Sequence, residues 1–266
     1  MATIRLLAAC DYHVLAAVRR PVPNTVFGAP LAVRISPLQL DVTQQDSIER
    51  ARMQSDDIVG ENGLAGLVNN AGIGIGGPVE YTGVAHLREQ FDVNVFGVVN
   101  VVQAFLPLLR NAKGRIVNVS SMVARVPLPL FGPYSASKCA LEALSDCLRV
   151  EIRRSGVTVS LIEPGLVDTP MQQKGIDRDH AIFEAIPAPG KAFYRRAANK
   201  RFETHEAFLR WAMPPERVAK VIKAVLETGR PRARYVVGRD ARIFLLLRAL
   251  LPRALLDRVL GRLMGV

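Results

Sequence analysis

Residues 115–165 read RIVNVSSMVARVPLPLFGPYSASKCALEALSDCLRVEIRRSGVTVSLIEPG. The stretch opens with a β-branched run, Arg115 to Ser120, continues with a helical pattern, Tyr134 to Arg154, and closes with a second β-branched run, Val157 to Glu163. Gly156, just past the basic end of the helical pattern, is typical of a helix stop. The stretch therefore predicts a parallel strand-helix-strand unit.

The same alternation extends along the rest of the chain. Further strands are predicted at Tyr12 to Arg20, Leu38 to Val42, Leu64 to Asn69 and Arg234 to Gly238, and further helices at Asp46 to Val59, Val84 to about Leu109 and Pro215 to Glu227. This pattern predicts an α/β fold with a doubly wound parallel sheet and helices on both faces. Because no repeat or linker-like segment interrupts it, we expect residues 1–266 to form one domain.

The composition is that of an ordinary globular domain. The 266 residues are 49% hydrophobic and 22% charged, with 20 Gly and 17 Pro, which excludes disordered and collagen-like chains. Cys10, Cys139 and Cys147 are widely spaced without a CxxC pair, so neither a disulfide framework nor a zinc site is predicted. We therefore expect a protein of the reducing cytoplasm.

No apolar run reaches the length of about 18 residues that a membrane span needs. The longest, Ile243 to Leu251, is interrupted by Arg248. The N-terminal residues up to Leu7-Ala8-Ala9-Cys10 imitate a lipoprotein signal, but their apolar part is only about half as long as a secretory signal requires. We favour an amphipathic helix there.

The positive charge, +11 overall, is concentrated in the tail. Residues 230–266 hold nine Arg, no Lys and two Asp, and Arg242 to Leu263 has the Leu-rich faces of one or two helices broken near Pro252. This basic amphipathic tail, residues 239–266, could lie on an anionic membrane surface. We favour packing on its own domain or on a second subunit. Nucleic-acid binding is not predicted, since the aromatic pattern for base stacking is missing.

Polar residues follow three predicted strands at the edge where a parallel sheet forms its ligand cleft. They are Asn70-Ala71-Gly72, Ser121, and the stretch Pro164 to Thr169. On the next helix, Tyr134 and Lys138 stand one turn apart and share a face. An ammonium group near a tyrosine lowers its pKa, so that it can exchange a proton near neutral pH, although such a spacing alone is more often a surface pair.

Several further motifs surround this pair in a fixed order. They are Asn69-Asn70-Ala71-Gly72, Asn94-Val95-Phe96-Gly97, Ser121 thirteen residues before Tyr134, and Pro164-Gly165. With these motifs, the chain from Tyr12 to Gly238 resembles the short-chain dehydrogenase/reductase superfamily, whose fold is a Rossmann-like doubly wound sheet.

The resemblance implies a role for each catalytic candidate. Ser121 would polarise a substrate carbonyl, Tyr134 would donate or accept the proton, Lys138 would lower the tyrosine pKa and hold the nicotinamide ribose, and Asn94 would support a water-mediated proton relay. The implied reaction is hydride transfer between a nicotinamide cofactor and an alcohol or ketone. A homodimer or homotetramer through the Tyr134 helix is also implied. Taken singly, Ser121 could be a helix cap, Asn94 a backbone ligand and Lys138 a solvated side chain.

The predicted cofactor depends on Arg19. NAD-binding sheets place an acidic residue at the end of the strand that here ends Ala17-Val18-Arg19-Arg20. The guanidinium of Arg19 suits a 2′-phosphate, so we favour NADP over NAD, the alternative being that both arginines face water. By resemblance, further cofactor contacts fall to Asp41, Val42, Asn70, Ala71, Gly72, Pro164, Gly165, Val167 and Thr169.

One part of the family pattern is missing. Such chains open with a strand and a Thr-Gly-x-x-x-Gly-x-Gly turn that binds the pyrophosphate at a helix N-terminus, whereas here Thr3 to Cys10 already matches the end of that helix. The missing strand is the central one, and each backbone group left unpaired beside it would cost about 1 to 3 kcal/mol. We expect either a start placed too far downstream, which we favour, or a shortened relative. Gly72, Gly74 and Gly77 match G-x-G-x-x-G but are no replacement, because residues 78–82 separate them from the next helix.

Residues 170–214 correspond to the family's substrate lid. They contain Phe183, Phe193, Tyr194, Phe202, Phe208, Trp211 and Met213. This content favours an apolar alcohol or ketone, such as a steroid, a retinoid or a lipid-like molecule, although any one of these side chains is more often core. His180 and His205 lack metal-ligand spacing, so no metal is predicted.

The sequence therefore predicts an NADP-dependent alcohol/carbonyl oxidoreductase. The alternative is a catalytically silent Rossmann-like binding or scaffold protein that has lost its pyrophosphate site. Cofactor binding separates the two. We expect a cytoplasmic protein, associated with a membrane only if the basic tail binds one.

Overall fold

The computed structural model of the chain describes residues 1–203 and 211–266. The strands are β1 Val14–Val18, β2 Ile35–Gln39, β3 Gly66–Asn69, β4 Arg115–Val119, β5 Thr158–Pro164 and β6 Arg234–Val237. The helices are α1 Ala2–Ala8, α2 Ala29–Ala32, α3 Gln45–Val59, α4 Val84–Phe91, α5 Gly97–Asn111, α6 Gly132–Glu151, α7 Pro170–Ala185, α8 Ala188–Glu203, α9 Pro215–Glu227, α10 Arg239–Leu250 and α11 Arg253–Met264.

All strand pairs are parallel, which confirms the predicted α/β fold. β3, β4, β5 and β6 form one sheet in that order, while β1 and β2 form a separate pair. In the larger sheet Val117 of β4 lies opposite Val68 of β3 and Ser160 of β5. Parallel strands with helices on both faces are buried on both sides, and β4 and β5 accordingly read as continuous apolar runs.

The core consists of two layers, one on each face of the larger sheet. On one face Val117 and Ile162 pack with Ile222 of α9. On the other face Ile116 packs with α5 and α6, including Leu141. The α6 helix, which carries Tyr134, is thus fixed against the sheet along its buried side.

Strand β2 corrects one predicted boundary. The sequence predicted a strand at Leu38 to Val42, whereas β2 spans Ile35–Gln39. Pro37 lies within it, and proline is tolerated there because β2 is an edge strand that needs no partner on its outer side. Asp41 and Val42 consequently lie past the end of β2, at the carboxyl edge of the sheet.

The sheet is divided between β1 and β3. Within residues 1–203 and 211–266 no strand lies between these two, and the space holds a cavity of about 830 Å³. Residues of β1 and β3 line its sides, and Met1, just before α1, is among the residues at its wall. Both flanking strands are only partly buried, unlike β4 and β5.

A continuous helix runs from Val84 to Asn111 through α4, a π-helical segment Asp92–Phe96 and α5. By length and composition it could cross a membrane, but half of its most apolar part is buried inside the fold. Val101, Phe105 and Leu108 pack against α3, which gives this helix a core role.

The lid region forms α7 and α8, and most of its aromatic side chains pack on one another. Phe183 and Phe202 meet edge-on at 5.4 Å in a cluster with Tyr194, so for these residues the core interpretation holds. Phe193 and Trp211, in contrast, are largely exposed. Phe208 and His205 lie outside the described residues.

The basic tail forms α10 and α11, which meet near Pro252. Leu256 and Leu260 of α11 pack against Val126, so this helix packs on its own chain, as favoured from the sequence. Its last residues also contact α8, where Lys200 Nζ donates to the Arg262 carbonyl at 2.8 Å.

Candidate active site

The end of β4 positions Ser121. The chain leaves the strand at Val119, and Ser121 begins a short turn in which its Oγ accepts a hydrogen bond from the Val123 amide at 3.4 Å. The same side chain interacts with Tyr134, whose pKa it lowers. The predicted serine and tyrosine are therefore brought together at the carboxyl edge of the sheet.

Helix α6 positions Tyr134 and Lys138. It begins at Gly132, and Pro133 lies in its first turn. Proline has no backbone N–H, but the N–H groups of a first turn have no partner within the helix, so no helical hydrogen bond is lost. Lys138 Nζ lies 5.9 Å from the centre of the Tyr134 ring and donates to the Val119 carbonyl at 2.8 Å. Lys138 is 5% exposed, so a hydrogen-bonded ammonium group is buried under the tyrosine.

The pKa of Tyr134 corrects one expectation. Burial raises it to about 12, and the hydrogen bond with Ser121 only partly opposes the rise. The sequence predicted a lowered pKa through Lys138, but the ammonium lies beside the ring and bonds to Val119, so that desolvation dominates. Burial also lowers the pKa of Lys138 to about 8, which Glu142 opposes. At neutral pH, Tyr134 is thus a neutral hydroxyl that can donate a proton.

Asn94 lies in the π-helical segment and anchors the loop after β3. Its side chain accepts from the Ile73 amide at 2.9 Å and donates to the Ile73 carbonyl at 3.0 Å and to Ser137 Oγ at 3.1 Å. A Cβ at Gly72 would lie 3.3 Å from Asn94 Oδ1 and 3.8 Å from Lys138 Nζ. Asn94 and Lys138 therefore both lie beside Gly72, which leaves the space next to them open because it has no side chain.

Gln90 is a second anchor of this loop that the sequence analysis missed. Its side chain accepts from the Ile75 amide at 2.8 Å and donates to the Ile73 carbonyl at 2.7 Å. Gln90 stands one helical turn before Asn94, so the same-face spacing was a usable signal.

The glycine run 72–77 continues into residues 78–83, and α4 begins only at Val84, so no helix opens on its last glycine.

The loop after β5 carries the residues predicted to meet the nicotinamide. The Gly165 amide donates to the Val237 carbonyl at 2.9 Å, and Val167 pairs with Met213. Asp240 accepts from the Leu166 amide at 2.6 Å, and a Cβ at Gly165 would overlap that carboxylate. Asp240 is far from this loop in the sequence, and no local sequence pattern predicted that it would bind the Leu166 amide. Pro164 ends β5, and Thr169 lies at the start of α7.

The residues predicted for the adenine end lie past β1 and β2. Asp41 Oδ1 accepts from the amide and hydroxyl of Thr43 at 3.0 and 2.7 Å, and these bonds, with a smaller contribution from Arg19, lower the pKa of Asp41. Val42 packs so closely on α5 that a Cβ at Gly97 would overlap it. Arg19 is exposed near Asp41, and in the described part of the chain it forms no ion pair. Asn70 and Ala71 are also exposed.

A network of ion pairs lies against helix α6 and was not predicted from the sequence. Arg234 bonds to Glu142 at 2.5 Å and to Glu163 at 2.8 Å, and Ser120 Oγ donates to Glu142 at 2.7 Å. Burial raises the pKa of Glu142 despite these bonds. Glu142 stands one turn after Lys138, so its place on the buried face of α6 could have been inferred from spacing.

A family model and several relatives of known name point to the same protein family. A model of the short chain dehydrogenase family matches residues 1–179. The chain is 33% identical to Dehydrogenase/reductase SDR family member 9 of Homo sapiens over 94% of this chain and 79% of that protein. It is 37% identical to 17-beta-hydroxysteroid dehydrogenase type 6 of Bos taurus over 86% and 74% of the two chains. It is 34% identical to Retinol dehydrogenase 5 of Homo sapiens over 85% and 73%.

A solved structure shares the fold over nearly the whole chain. It is a short-chain dehydrogenase from Streptomyces avermitilis, with a TM-score of 0.73 and 26% identity, covering 98% of this chain and 89% of that one. The agreement extends past the predicted range Tyr12 to Gly238.

Proposed function

The chain belongs to the short-chain dehydrogenase family, and we propose that it transfers a hydride between NADP(H) and the alcohol or ketone group of an apolar molecule. The observation that carries this proposal is the convergence of four groups on one cleft. Ser121 interacts with Tyr134, Lys138 lies beneath the tyrosine ring, and Asn94 and Lys138 both lie beside Gly72.

The residues at both ends of the cleft fit a nicotinamide dinucleotide. At one end, Gly72 leaves room above the Lys138 ammonium, which can bond to ribose hydroxyls. At the other end, Arg19 presents a guanidinium where a ribose phosphate would lie. When bound, the nicotinamide supplies or accepts the hydride.

The chain's own residues would handle the proton and the carbonyl oxygen. In the reducing direction, Ser121 donates a hydrogen bond to the carbonyl oxygen, and Tyr134 gives its hydroxyl proton to that oxygen as the carbon becomes an alcohol carbon. Lys138 stabilises the resulting phenolate by its charge. The raised pKa of Tyr134 keeps the proton in place until this step, which favours reduction at neutral pH.

The preference for NADP rests on charge at the end of β1. An acidic residue there would repel a 2′-phosphate, whereas Arg19 attracts it. Asp41 is near Arg19 but is held by Thr43, so the guanidinium remains available.

The proposed substrate class is steroid-, retinoid- or lipid-like. Two relatives named for steroid and retinol dehydrogenation support this class. The exposed ring of Phe193 on α8 is available to an apolar substrate, whereas Phe183 and Phe202 are used within the lid.

We also propose that the family's first strand and its glycine-rich turn are absent from residues 1–266. Within residues 1–203 and 211–266 no glycine-rich turn connects a strand directly to a helix beside the cleft. The pyrophosphate of a bound cofactor would then lack its amide cradle, which weakens binding.

The proposal also includes a cytoplasmic location, a homo-oligomer and a membrane contact through the tail. Three free cysteines support a reducing, cytoplasmic location. Leu144 and Val150 are exposed on α6 and would be covered in a homo-oligomer. The exposed Ile243, Leu246 and Leu250 of α10, with the tail arginines, would mediate any membrane contact.

The proposed activity is tested by NADPH-dependent reduction of steroid ketones and of retinal, followed through the absorbance of the reduced nicotinamide. We expect turnover with at least one apolar carbonyl, and a loss of about 100-fold or more in Tyr134→Phe, because proton donation is removed. Equal rates in Tyr134→Phe and the native chain would refute the assignment.

A further inference from the structure

A buried ion pair joins the two lid helices. Asp179 lies on α7 and Arg201 on α8, and the guanidinium donates to Asp179 Oδ2 from Nη2 at 2.7 Å and from Nε at 3.2 Å. The two side chains are only 2% and 10% exposed. Burying charges costs desolvation free energy, so stability alone is a weak reason for such a pair.

The Asp179 carboxylate also reaches the glycine run that follows β3. Its Oδ1 accepts from the Gly76 amide at 2.7 Å. A Cβ at Gly76 would lie 2.8 Å from that carboxylate and 2.7 Å from the Leu130 carbonyl, so this close approach requires a glycine. The carboxylate therefore fixes the lid to the run that begins at Gly72 beside Lys138.

The Arg201 guanidinium reaches the residue that precedes the Tyr134 helix. Its Cζ lies 4.4 Å from the centre of the Phe131 ring, within the range of a cation–π interaction. Phe131 is the N-cap of α6, and its carbonyl accepts from the Ser135 amide at 2.8 Å, which closes the turn that holds Tyr134. The ion pair therefore contacts both the glycine run and the start of the catalytic helix.

These two segments meet at residues 76–77 and 130–131, the lid junction. The Gly77 amide donates to the Leu130 carbonyl at 2.8 Å, and Gly77 and Phe131 form an isolated parallel bridge. Because the two segments are bonded to each other, a shift of the lid at one of them also reaches the other.

One residue of the lid junction has an unfavourable backbone conformation. Leu130 has a φ of 66°, in the left-handed region that residues with a side chain rarely adopt. Such a conformation persists only when the surrounding structure holds it. The Leu130 side chain is buried in a cluster with Phe183 of α7 and Ala197 of α8. The lid junction therefore depends on the lid helices for its conformation.

The amino-terminal half of α7 lies against the same glycine run, nearer the catalytic residues. A Cβ at Gly175 would lie 3.5 Å from the Gly74 carbonyl, and one at Gly74 would lie 3.9 Å from Met171 Cε. Gly72, earlier in the run, lies beside Lys138. A lid displaced at the junction would therefore also displace α7 next to the cleft.

We propose that Asp179 and Arg201 are positioning residues that hold the lid where an apolar substrate binds, by fixing it to the start of the Tyr134 helix through the lid junction. This inference rests on the proposed function, since it concerns the substrate of that reaction. It gives neither residue a step in the proton transfer. The pair would therefore set KM for the carbonyl substrate, while Ser121 and Tyr134 set kcat.

The test replaces the pair in the full 266-residue chain. Asp179→Asn keeps the side-chain shape and an oxygen for the Gly76 amide, but it removes the charge that Arg201 binds. Arg201→Lys keeps the ion pair and loses the two-point bond, so it should recover part of the native behaviour. The matched control is Glu184→Gln, which breaks an exposed ion pair with Lys191 between the same two helices.

Steady-state reduction of retinal and of a steroid ketone by NADPH gives the first readout. In Asp179→Asn, KM for the carbonyl should rise by about tenfold while kcat changes by less than about twofold. Arg201→Lys should raise KM by less, and Glu184→Gln should leave both constants unchanged. A merely structural role would instead lower kcat with the folded fraction and leave KM unchanged.

Hydrogen exchange of the chain without nucleotide or substrate gives the second readout. In Asp179→Asn, the Gly77 and Ser135 amides should exchange at least about tenfold faster, because their bonds at the lid junction open more often. Both rates are expressed relative to the Leu161 amide, which is bonded to Ala233 in the sheet and reports opening of the whole chain. Glu184→Gln should leave these relative rates unchanged.

A double variant covers the case in which Asp179→Asn alone does not fold. Asp179→Asn combined with Arg201→Met removes both charges, so no buried charge is left unpaired. This chain should fold and should show the same rise in KM and the same faster exchange at Gly77 and Ser135.

Three results would overturn the proposal. The first is a native KM with only kcat reduced in the folded variants. The second is unchanged exchange at Gly77 and Ser135 relative to Leu161. The third is an equal effect of Glu184→Gln, since any ion pair between the lid helices would then serve.

Failure of the proposed function gives a different result. In that case the native chain itself reduces no carbonyl, which overturns the proposed function. Faster exchange at Gly77 and Ser135 in the variants would still support the positioning of the lid by the ion pair, and unchanged exchange would overturn it.

Discussion

Replacing Lys138 with methionine should make the chain more stable at neutral pH, although it removes a catalytic group. The pKa of Lys138 lies at about 8 in the folded chain, against 10.5 for a free lysine. Each pKa unit corresponds to about 1.4 kcal/mol, so burying the charged form costs about 3 kcal/mol. Methionine has a similar length and carries no charge.

One contact works against this gain. Lys138 Nζ donates to the Val119 carbonyl at 2.8 Å, and losing that donor costs about 1 kcal/mol. The net expectation for Lys138→Met at about pH 7 is a gain of about 2 kcal/mol in unfolding free energy.

The sign of the effect changes with pH. Because folding lowers the pKa of Lys138, the cost of its charge is present below about pH 8 and disappears as the pH rises through about 10.5. At about pH 11 only the lost hydrogen bond remains, and the variant should be less stable than the native chain by about 1 kcal/mol.

Urea unfolding of both chains at the two pH values measures this difference, and comparing the chains at each pH cancels the effects of other groups. The variant should be inactive throughout. A Lys138→Met chain that is less stable than the native chain by the same amount at both pH values would refute the reasoning, because the buried charge would then carry no cost.

Three further substitutions test separate parts of the site. Tyr134→Phe should keep NADPH binding while the rate of carbonyl reduction falls by about 100-fold to 10,000-fold, which calorimetry and steady-state kinetics check together. Gly165→Ala should destabilise the chain by about 1 to 3 kcal/mol because its Cβ overlaps Asp240, and urea unfolding should show a smaller loss when Asp240→Ala is already present. Arg234→Met should cost about 3 to 5 kcal/mol near pH 7, because it removes the ion-pair partner of the buried Glu142 and leaves the buried Glu163 with Arg125 alone. That loss should shrink as the pH falls and Glu142 takes up a proton, and an equal loss at all pH values would contradict the network's ionic character.

The β4-α6-β5 unit could be predicted from sequence because its signals are local. Apolar runs predict the strands, and the 3.6-residue period predicts α6. These elements place Ser121 at the end of β4 and Tyr134 and Lys138 on α6. The boundary of β2 was misplaced because Pro37 argues against a strand unless its edge position is known.

Other features depend on contacts between distant segments and carried no local signal. Asp240 reaches the loop at Gly165 only through the β5-β6 pairing. The π-helical segment around Asn94 was not predicted from the sequence. The pKa of Tyr134 follows from burial in the assembled site, so the Tyr-x-x-x-Lys spacing alone gave the wrong direction.

Cofactor binding tests the central claim most directly. Thermal unfolding of the 266-residue chain would be measured with NADPH and with NADH, up to millimolar concentrations because the proposed absence of the pyrophosphate cradle would weaken binding. We predict stabilisation by NADPH, about 2.7 kcal/mol at 100 times its dissociation constant, little or none by NADH, and loss of the NADPH effect in Arg19→Glu. No stabilisation of the native chain by either nucleotide would contradict the account.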